Sequence, residues 1–280
     1  MPKFVYFGTP DVARDTLAIL LEHGLTPSLV VSSPDRSQGR GLTLTPSETS
    51  VFATEHNLPL ITPEVLDAET IGRIKGEGAD IGIVVAYGKI LPQELIDVFP
   101  HGMVNVHYSL LPKYRGASPV ESALLNGEEV TGVTVQRLVR KMDAGDILGT
   151  SEVTITDTET TKELRGRLIP LGAELLIEVL PNFMDGTLTP IPQDESLVSR
   201  AGKFRKEDGC LDLHSDARTN WRKYRAFFVS PGTHFFYERN GKSTRVKIVN
   251  ATFSNGIFTP LRVVPEGKNE MDYTDFIARS

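Results

Sequence analysis

Asn105 and His107 stand two residues apart in the apolar run M-V-N-V-H (103–107). In a β-strand that spacing turns both side chains to one face, so they can act on one substrate atom. The following S-L-L-P-K-Y-R-G-A-S-P (109–119) cannot continue the strand past Pro112, which places the pair at the strand's carboxyl end. Asp143, in M-D-A-G-D-I (142–147), occupies a tight glycine-containing turn from which a carboxylate can reach an imidazole. Acyl transfer to an amine needs a donor for the tetrahedral oxyanion, a group that handles the amine's proton, and a partner that orients that group. Asn105 suits the first task, His107 charge stabilisation or proton transfer, and Asp143 the orientation of His107 and acceptance of the amine proton through a water. Taken singly, each residue has a structural reading as well: an Asn-x-His pair commonly packs, and an aspartate in such a turn commonly bonds its own backbone.

Alternating strands and helices supply the frame. K-F-V-Y-F (3–7) reads as a strand, 11–22 as a helix through Val12, Leu17, Leu20 and Leu21, and S-L-V-V-S-S (28–33) as the next strand. The pattern recurs with a strand at 80–85, a helix at about 93–98 and a strand at 103–107. Such alternation implies an α/β fold with a parallel-rich sheet covered on both faces, whose ligands gather at the carboxyl ends of the strands. Residues 132–139 and 147–155 read as an antiparallel pair about the 142–145 turn, and 162–180 as a helix. The composition of 185–202 reads as a linker between a domain over 1–184 and a small, mostly β module over 203–280, with a helix at 216–225 and strands near 233–238, 244–251 and 257–263.

Bulk composition narrows the classes. With one cysteine, Cys210, there is no disulfide framework, and the absence of paired Cys/His spacings speaks against a structural metal. No apolar run approaches the ~20 residues of a membrane span and the N-terminus lacks a signal-peptide pattern, so a cytoplasmic chain is expected. The net charge is −6, yet residues 201–280 hold 14 Lys+Arg against 9 Asp+Glu, leaving 16 against 27 in residues 1–200. That split fits either a nucleic-acid contact or a solvated mixed-charge surface. Ser-His-Asp hydrolysis is disfavoured, since there is no G-x-S-x-G elbow and His23, His56, His101, His214 and His234 have no nucleophile beside them.

The combination N-V-H-Y-S-L-L-P-K-Y-R-G-A-S-P with M-D-A-G-D-I resembles the formyltransferases that use 10-formyltetrahydrofolate. Further segments, F-G-T-P-D-V-A (7–13), P-D-R-S-Q-G-R-G (34–41), T-P-S (45–47), V-A-Y-G-K-I-L-P (85–92) and P-E-G-K-N-E-M (265–271), are similar to the branch of that family acting on methionyl-tRNA. The resemblance implies a Rossmann-like formyltransferase domain followed by a linker and an OB-like β-barrel that helps hold initiator Met-tRNA. It assigns Asn105, His107 and Asp143 to catalysis. It places Tyr87, Gly88, Ile90 and Leu91 in the pterin pocket, and Ser109, Leu110, Leu111 and Pro112 in the folate-contacting loop. Arg36 and Arg40, with Lys203, Lys206 and Arg222, stand as tRNA contacts. The donor is a consumed cosubstrate, no metal is expected, and the chain is expected to act as a monomer.

Two departures qualify the match. L-T-L-T follows R-G at 40–41 where the family usually carries lysines, and only a short stretch separates Val249 from Val264, so the barrel is expected to be shortened. Helix 216–225 can offer its charges to a ligand or pack Trp221 and Tyr224 inward and leave them solvated. Rival readings are an amino-sugar nucleotide formyltransferase, a formyltetrahydrofolate hydrolase, and a catalytically silent tRNA- or folate-binding protein. The R-S-Q-G-R-G insertion and the basic C-terminal module argue against the first, and the intact triad against the last.

Overall fold

The computed structural model describes residues 2–38, 43–239 and 241–278. They gather into two compact units that interleave along the chain. The first comprises Met1–Arg115, Gly132–Val153 and Gly166–Arg200, the second Gly116–Thr131, Thr154–Arg165 and Ala201–Ser280.

The first unit is organised on a seven-stranded sheet. Its strands are β1 (Phe4–Gly8), β2 (Leu29–Val31), β5 (Leu60–Ile61), β6 (Ile81–Val85), β7 (Met103–His107), β9 (Val130–Arg137) and β10 (Ile147–Thr154), in the order β10-β9-β7-β6-β1-β2-β5. The strands β7, β6, β1, β2 and β5 run parallel, and β9 runs antiparallel to β7. Backbone bonds from Arg137 to Asp146 and from Ile155 to Glu129 close β9 and β10 into the expected hairpin. Every residue of F-V-Y-F-G and I-G-I-V-V is buried, as befits parallel strands covered on both faces. The covering helices are α1 (Asp11–Glu22), α2 (Glu48–Glu55), α3 (Ala68–Gly76), the short α4 (Gln93–Ile96) and α6 (Thr161–Met184). The pair β3 (Arg36–Gln38) and β4 (Thr43–Thr45) forms a separate small ribbon.

From β1 the chain winds outward through β2 to β5, then returns to place β6 on the other side of β1. The crevice at the carboxyl ends of β1 and β6 is therefore the topological switch point, where such folds take ligands. F-G-T-P lies there. A Cβ on Gly8 would come within 2.5 Å of the Ala13 Cβ, so this glycine serves the tight passage from strand to helix. Thr9 Oγ1 then donates to the Tyr87 carbonyl at 2.9 Å and lies 3.0 Å from Ser33 Oγ, tying together the ends of β1, β2 and β6.

The second unit contains α5 (Pro119–Asn126), α7 (Ala217–Ala226) and a four-stranded antiparallel sheet in the order β12 (Thr233–Arg239), β13 (Lys242–Ser254), β14 (Ile257–Pro265), β15 (Met271–Asp272), with α8 (Tyr273–Ala278) after it. Its core is aromatic: Trp221 and Tyr224 stack at 5.5 Å between ring centres with Phe253 and Phe258 against them, and Phe235 and Phe276 meet edge-on in the same core. Of the two readings of helix 216–225, inward packing of Trp221 and Tyr224 is the one observed, with Asp216 capping α7 through the Thr219 amide. Among the described residues no pairing joins β15 to β12, so the sheet of this barrel-like module is open. The remaining strands, β8 (Arg115–Gly116) and β11 (Arg200–Ala201), form a two-residue ladder. No described helix is long and apolar enough to cross a membrane.

Candidate active site

The end of β7 carries Asn105 and His107. Across the ladder, Asn105 faces Gln136 and His107 faces Thr134 of β9, and directly opposed residues share a face. Four polar side chains thus line one patch. Asn105 is half-buried and its amide makes no hydrogen bond among the described residues, which leaves it available to a substrate oxygen. His107 is 6% exposed. Its Nε2 lies 3.0 Å from the Tyr114 carbonyl, and its Nδ1 faces Asp143 Oδ1 at 3.7 Å. The second separation is within ion-pair range but too long for a hydrogen bond, a slack common before a substrate is bound. Gln136 Nε2 donates to the same carboxylate oxygen at 3.1 Å.

The three residues read from the sequence as a catalytic group are thus brought together. The backbone holding them is unusual: Ala86, Tyr114 and Asp143 all have positive φ, at 47°, 62° and 50°. For residues other than glycine, asparagine or aspartate this region costs on the order of 1 kcal/mol each, so Ala86 and Tyr114 stay there only because neighbours enforce it. At Gly145 a side chain is impossible, because a Cβ would collide with the Arg137 carbonyl.

The loop after β7 is shaped by its own polar groups. Ser109 Oγ donates to the Lys113 carbonyl at 2.7 Å, and Thr134 Oγ1 donates to the Ser109 carbonyl at 2.7 Å while accepting from the Leu111 amide at 3.1 Å. Ser109 and Leu111 are buried, whereas Leu110 and Pro112 are half-buried and present apolar surface. In the loop after β6, Tyr87 and Leu91 belong to the core, with Tyr87 edge-on to Phe7. Burial pushes the Tyr87 phenol up to about 12, and its hydroxyl has no hydrogen-bond partner among the described residues. Gly88 is exposed at φ 81°, and Ile90 is 84% exposed, the most exposed large apolar side chain described. Lys89 anchors this loop by donating to the Pro63 and Glu64 carbonyls at 2.6 and 2.8 Å.

Of the basic residues, Arg36 is exposed on β3 and Arg40 lies outside the described residues. Lys203 and Lys206 are exposed. Arg222 is half-buried with its guanidinium against Gly127, the left-handed residue that ends α5. Three site residues escaped the sequence reading: Gln136, Gln193 and Arg115. Gln136 was recoverable from the β7–β9 register, since it sits opposite Asn105. Gln193 gave no signal, lying in a polar, proline-containing stretch, yet its side-chain amide bonds the backbone of the Asp143 turn.

The formyl transferase family matches residues 3–180. A methionyl-tRNA formyltransferase of Bdellovibrio bacteriovorus is 37% identical over 301 residues, spanning 98% of this chain and 95% of that protein. Among solved structures, HypX from Aquifex aeolicus in complex with tetrahydrofolic acid aligns at TM-score 0.66 and 16% identity, over 99% of this chain and 47% of that one. An N-formyltransferase from Helicobacter canadensis, in complex with folinic acid and dTDP-3-aminofucose, aligns at TM-score 0.64 and 18% identity over 91% and 89%. These two likenesses are of fold. The chain belongs to the formyl transferase family and, by its full-length relatives, to the methionyl-tRNA formyltransferases within it. It is a one-carbon transferase enzyme.

Proposed function

We propose that the protein transfers the formyl group of 10-formyltetrahydrofolate to the α-amine of methionine on initiator Met-tRNA, for translation initiation, acting as a cytoplasmic monomer. The observation that carries this reading is the meeting of Asn105, His107 and Asp143 at the end of β7, within a chain that is full-length kin to methionyl-tRNA formyltransferases. The amine nitrogen attacks the formyl carbon. Asn105 donates to the oxygen that becomes an oxyanion, and His107 stabilises that charge. Asp143 orients His107 and takes the amine proton through a water. Collapse of the tetrahedral intermediate breaks the bond to the folate nitrogen, which leaves as tetrahydrofolate with a proton.

The switch-point crevice suits a flat, partly apolar donor. Ile90, Leu110 and Pro112 offer apolar surface and the peptide at Gly88 allows close approach, while Tyr87, Leu91, Leu111 and Ser109 give the two loops their shape from behind. Residues 1–184 serve as the catalytic domain, 185–202 as the connection and 203–280 as the tRNA-contacting module. Arg36, Arg40, Lys203, Lys206 and Arg222 contribute positive charge to phosphate contact.

The test follows labelled formyl from 10-formyltetrahydrofolate into charged initiator Met-tRNA, beside an amino-sugar nucleotide and a no-acceptor control. Rapid tRNA-dependent transfer is expected. Transfer only to the sugar would overturn the acceptor, and folate loss without an acceptor would point to hydrolysis.

A further inference from the structure

We propose that Gln193, held by Arg115, is the positioning residue that fixes the Asp143 turn against His107. The inference rests on the catalytic reading of Asp143 above. Gln193 Nε2 donates to the carbonyls of Asp143 and Gly145 at 2.9 and 2.7 Å, and lies 3.3 Å from Gln136 Oε1. An NH2 group has two hydrogens, so the two shorter bonds occupy it. Gln193 Oε1 accepts from Arg115 Nε and Nη2 at 3.0 and 2.8 Å. A guanidinium can only donate, so it dictates which end of the amide faces it and directs the NH2 at the turn.

Arg115 is itself fixed. It is buried, its Nη2 donates to Glu195 Oε1 at 2.9 Å, and its backbone amide donates to the Ser199 carbonyl at 2.9 Å. The other oxygen of Glu195 accepts from Lys141 Nζ at 2.8 Å, two residues before Asp143. Gln193 therefore holds the turn's backbone at Asp143 and Gly145, with the exposed Lys141–Glu195 pair beside it. Gln136 restrains the Asp143 carboxylate, but Gln193 restrains the backbone, which sits in the left-handed region at φ 50°. With the Gln193 donors gone, the turn relaxes and the carboxylate leaves its 3.7 Å approach to His107.

The test compares wild type, Gln193→Ala and Gln193→Glu, and each of these combined with Asp143→Ala. It measures kcat and KM for formyl transfer to Met-tRNA and amide hydrogen exchange over residues 141–146. Gln193→Glu keeps an oxygen for Arg115 while removing both donors to the turn, so it separates the anchor from the clamp. Both single variants are expected to lower kcat about 10- to 100-fold, the loss typical of a misplacement near 1 Å. KM should stay within about threefold, exchange over 141–146 should quicken, and no further loss should appear once Asp143 is alanine, because coupled residues are not additive. Multiplicative losses in the combined variants, or unchanged exchange over the turn, would overturn the inference. Wild-type turnover by Asp143→Ala alone would instead sink the catalytic reading, a separable result because turn protection is read without turnover.

Discussion

The active-site patch and the basic C-terminal module use polar side chains in opposite ways. At the end of β7, polar groups are few, buried or half-buried, and hold one another: Thr134 holds the Ser109 loop, Gln136 holds Asp143, and Gln193 holds the turn. In the second unit, basic residues are plentiful and many are structural. Arg225 is buried and donates to the Thr156 carbonyl at 2.8 Å, and Arg218 lies 4.6 Å over Phe253. Arg262 pairs with Glu270 and Asp272 at 2.9 and 3.1 Å. A count of positive charge therefore overstates the surface left for a polyanion, whereas a handful of polar residues understates how firmly the Asp143 turn is held. Composition reports amount, and only placement reports use.

The largest effects are expected at the triad. Asn105→Ala, His107→Ala and Asp143→Ala are each expected to lower kcat by about two orders of magnitude or more while moving the unfolding midpoint little, since they remove transition-state contacts. Steady-state kinetics beside thermal melts decide it, and near-normal turnover in one variant removes that residue from the mechanism. Arg225→Ala should do the reverse, lowering stability by about 2 kcal/mol or more because the Thr156 carbonyl loses its partner, while kcat per folded molecule stays close to wild type. A denaturant series reads this, and an unshifted midpoint would show that the buried guanidinium is dispensable. The double change Lys203→Ala, Lys206→Ala should weaken Met-tRNA binding only several-fold and flatten its logarithmic salt dependence by roughly one to two. An unchanged slope would remove both lysines from the interface.

The smallest effect concerns Tyr87. Its phenol is raised from 10.0 to about 12 by burial, so the folded chain keeps a proton that the unfolded chain gives up. Stability from this group is complete below about pH 10 and is lost as pH rises towards about 12. Tyr87→Phe should abolish that alkaline dependence and, by removing a buried hydroxyl that has no partner among the described residues, raise stability at neutral pH by roughly 0.5–1 kcal/mol. Melts across the alkaline range check both, and a destabilised variant would show that the hydroxyl has a role in the fold.

Much of the frame was legible because parallel strands are written as unbroken apolar runs: β1, β6 and β7 fall within a residue or so of their expected places. The helices α2, α3, α5 and α8 were not. Helix α2 reads E-T-S-V-F-A-T-E, with little apolar periodicity, and is started by the Ser47 cap; α3 contains Gly72 and ends at Gly76; α5 begins at Pro119, the residue at which the loop reading stopped. Caps and tertiary packing outweigh propensity in such short pieces. Asn105, His107 and Asp143 were legible as a strand-spaced pair and a turn, and the structure brings them together. Gln193 was not, because two hydrogen bonds to a backbone some 50 residues earlier leave no local pattern.

That separation has a consequence in time. Chains emerge from synthesis at roughly 5–20 residues per second, and long-range contacts wait for their later partner. The sheet, the histidine and the aspartate all precede residue 180, where the family match ends, while Gln193 and Ser199 follow it. A nascent or clipped chain ending there would carry Asn105, His107 and Asp143, the proposed reacting groups, and lack the brace proposed beneath the aspartate. Competence would then arrive as a late event, seconds after the chemistry had already been translated.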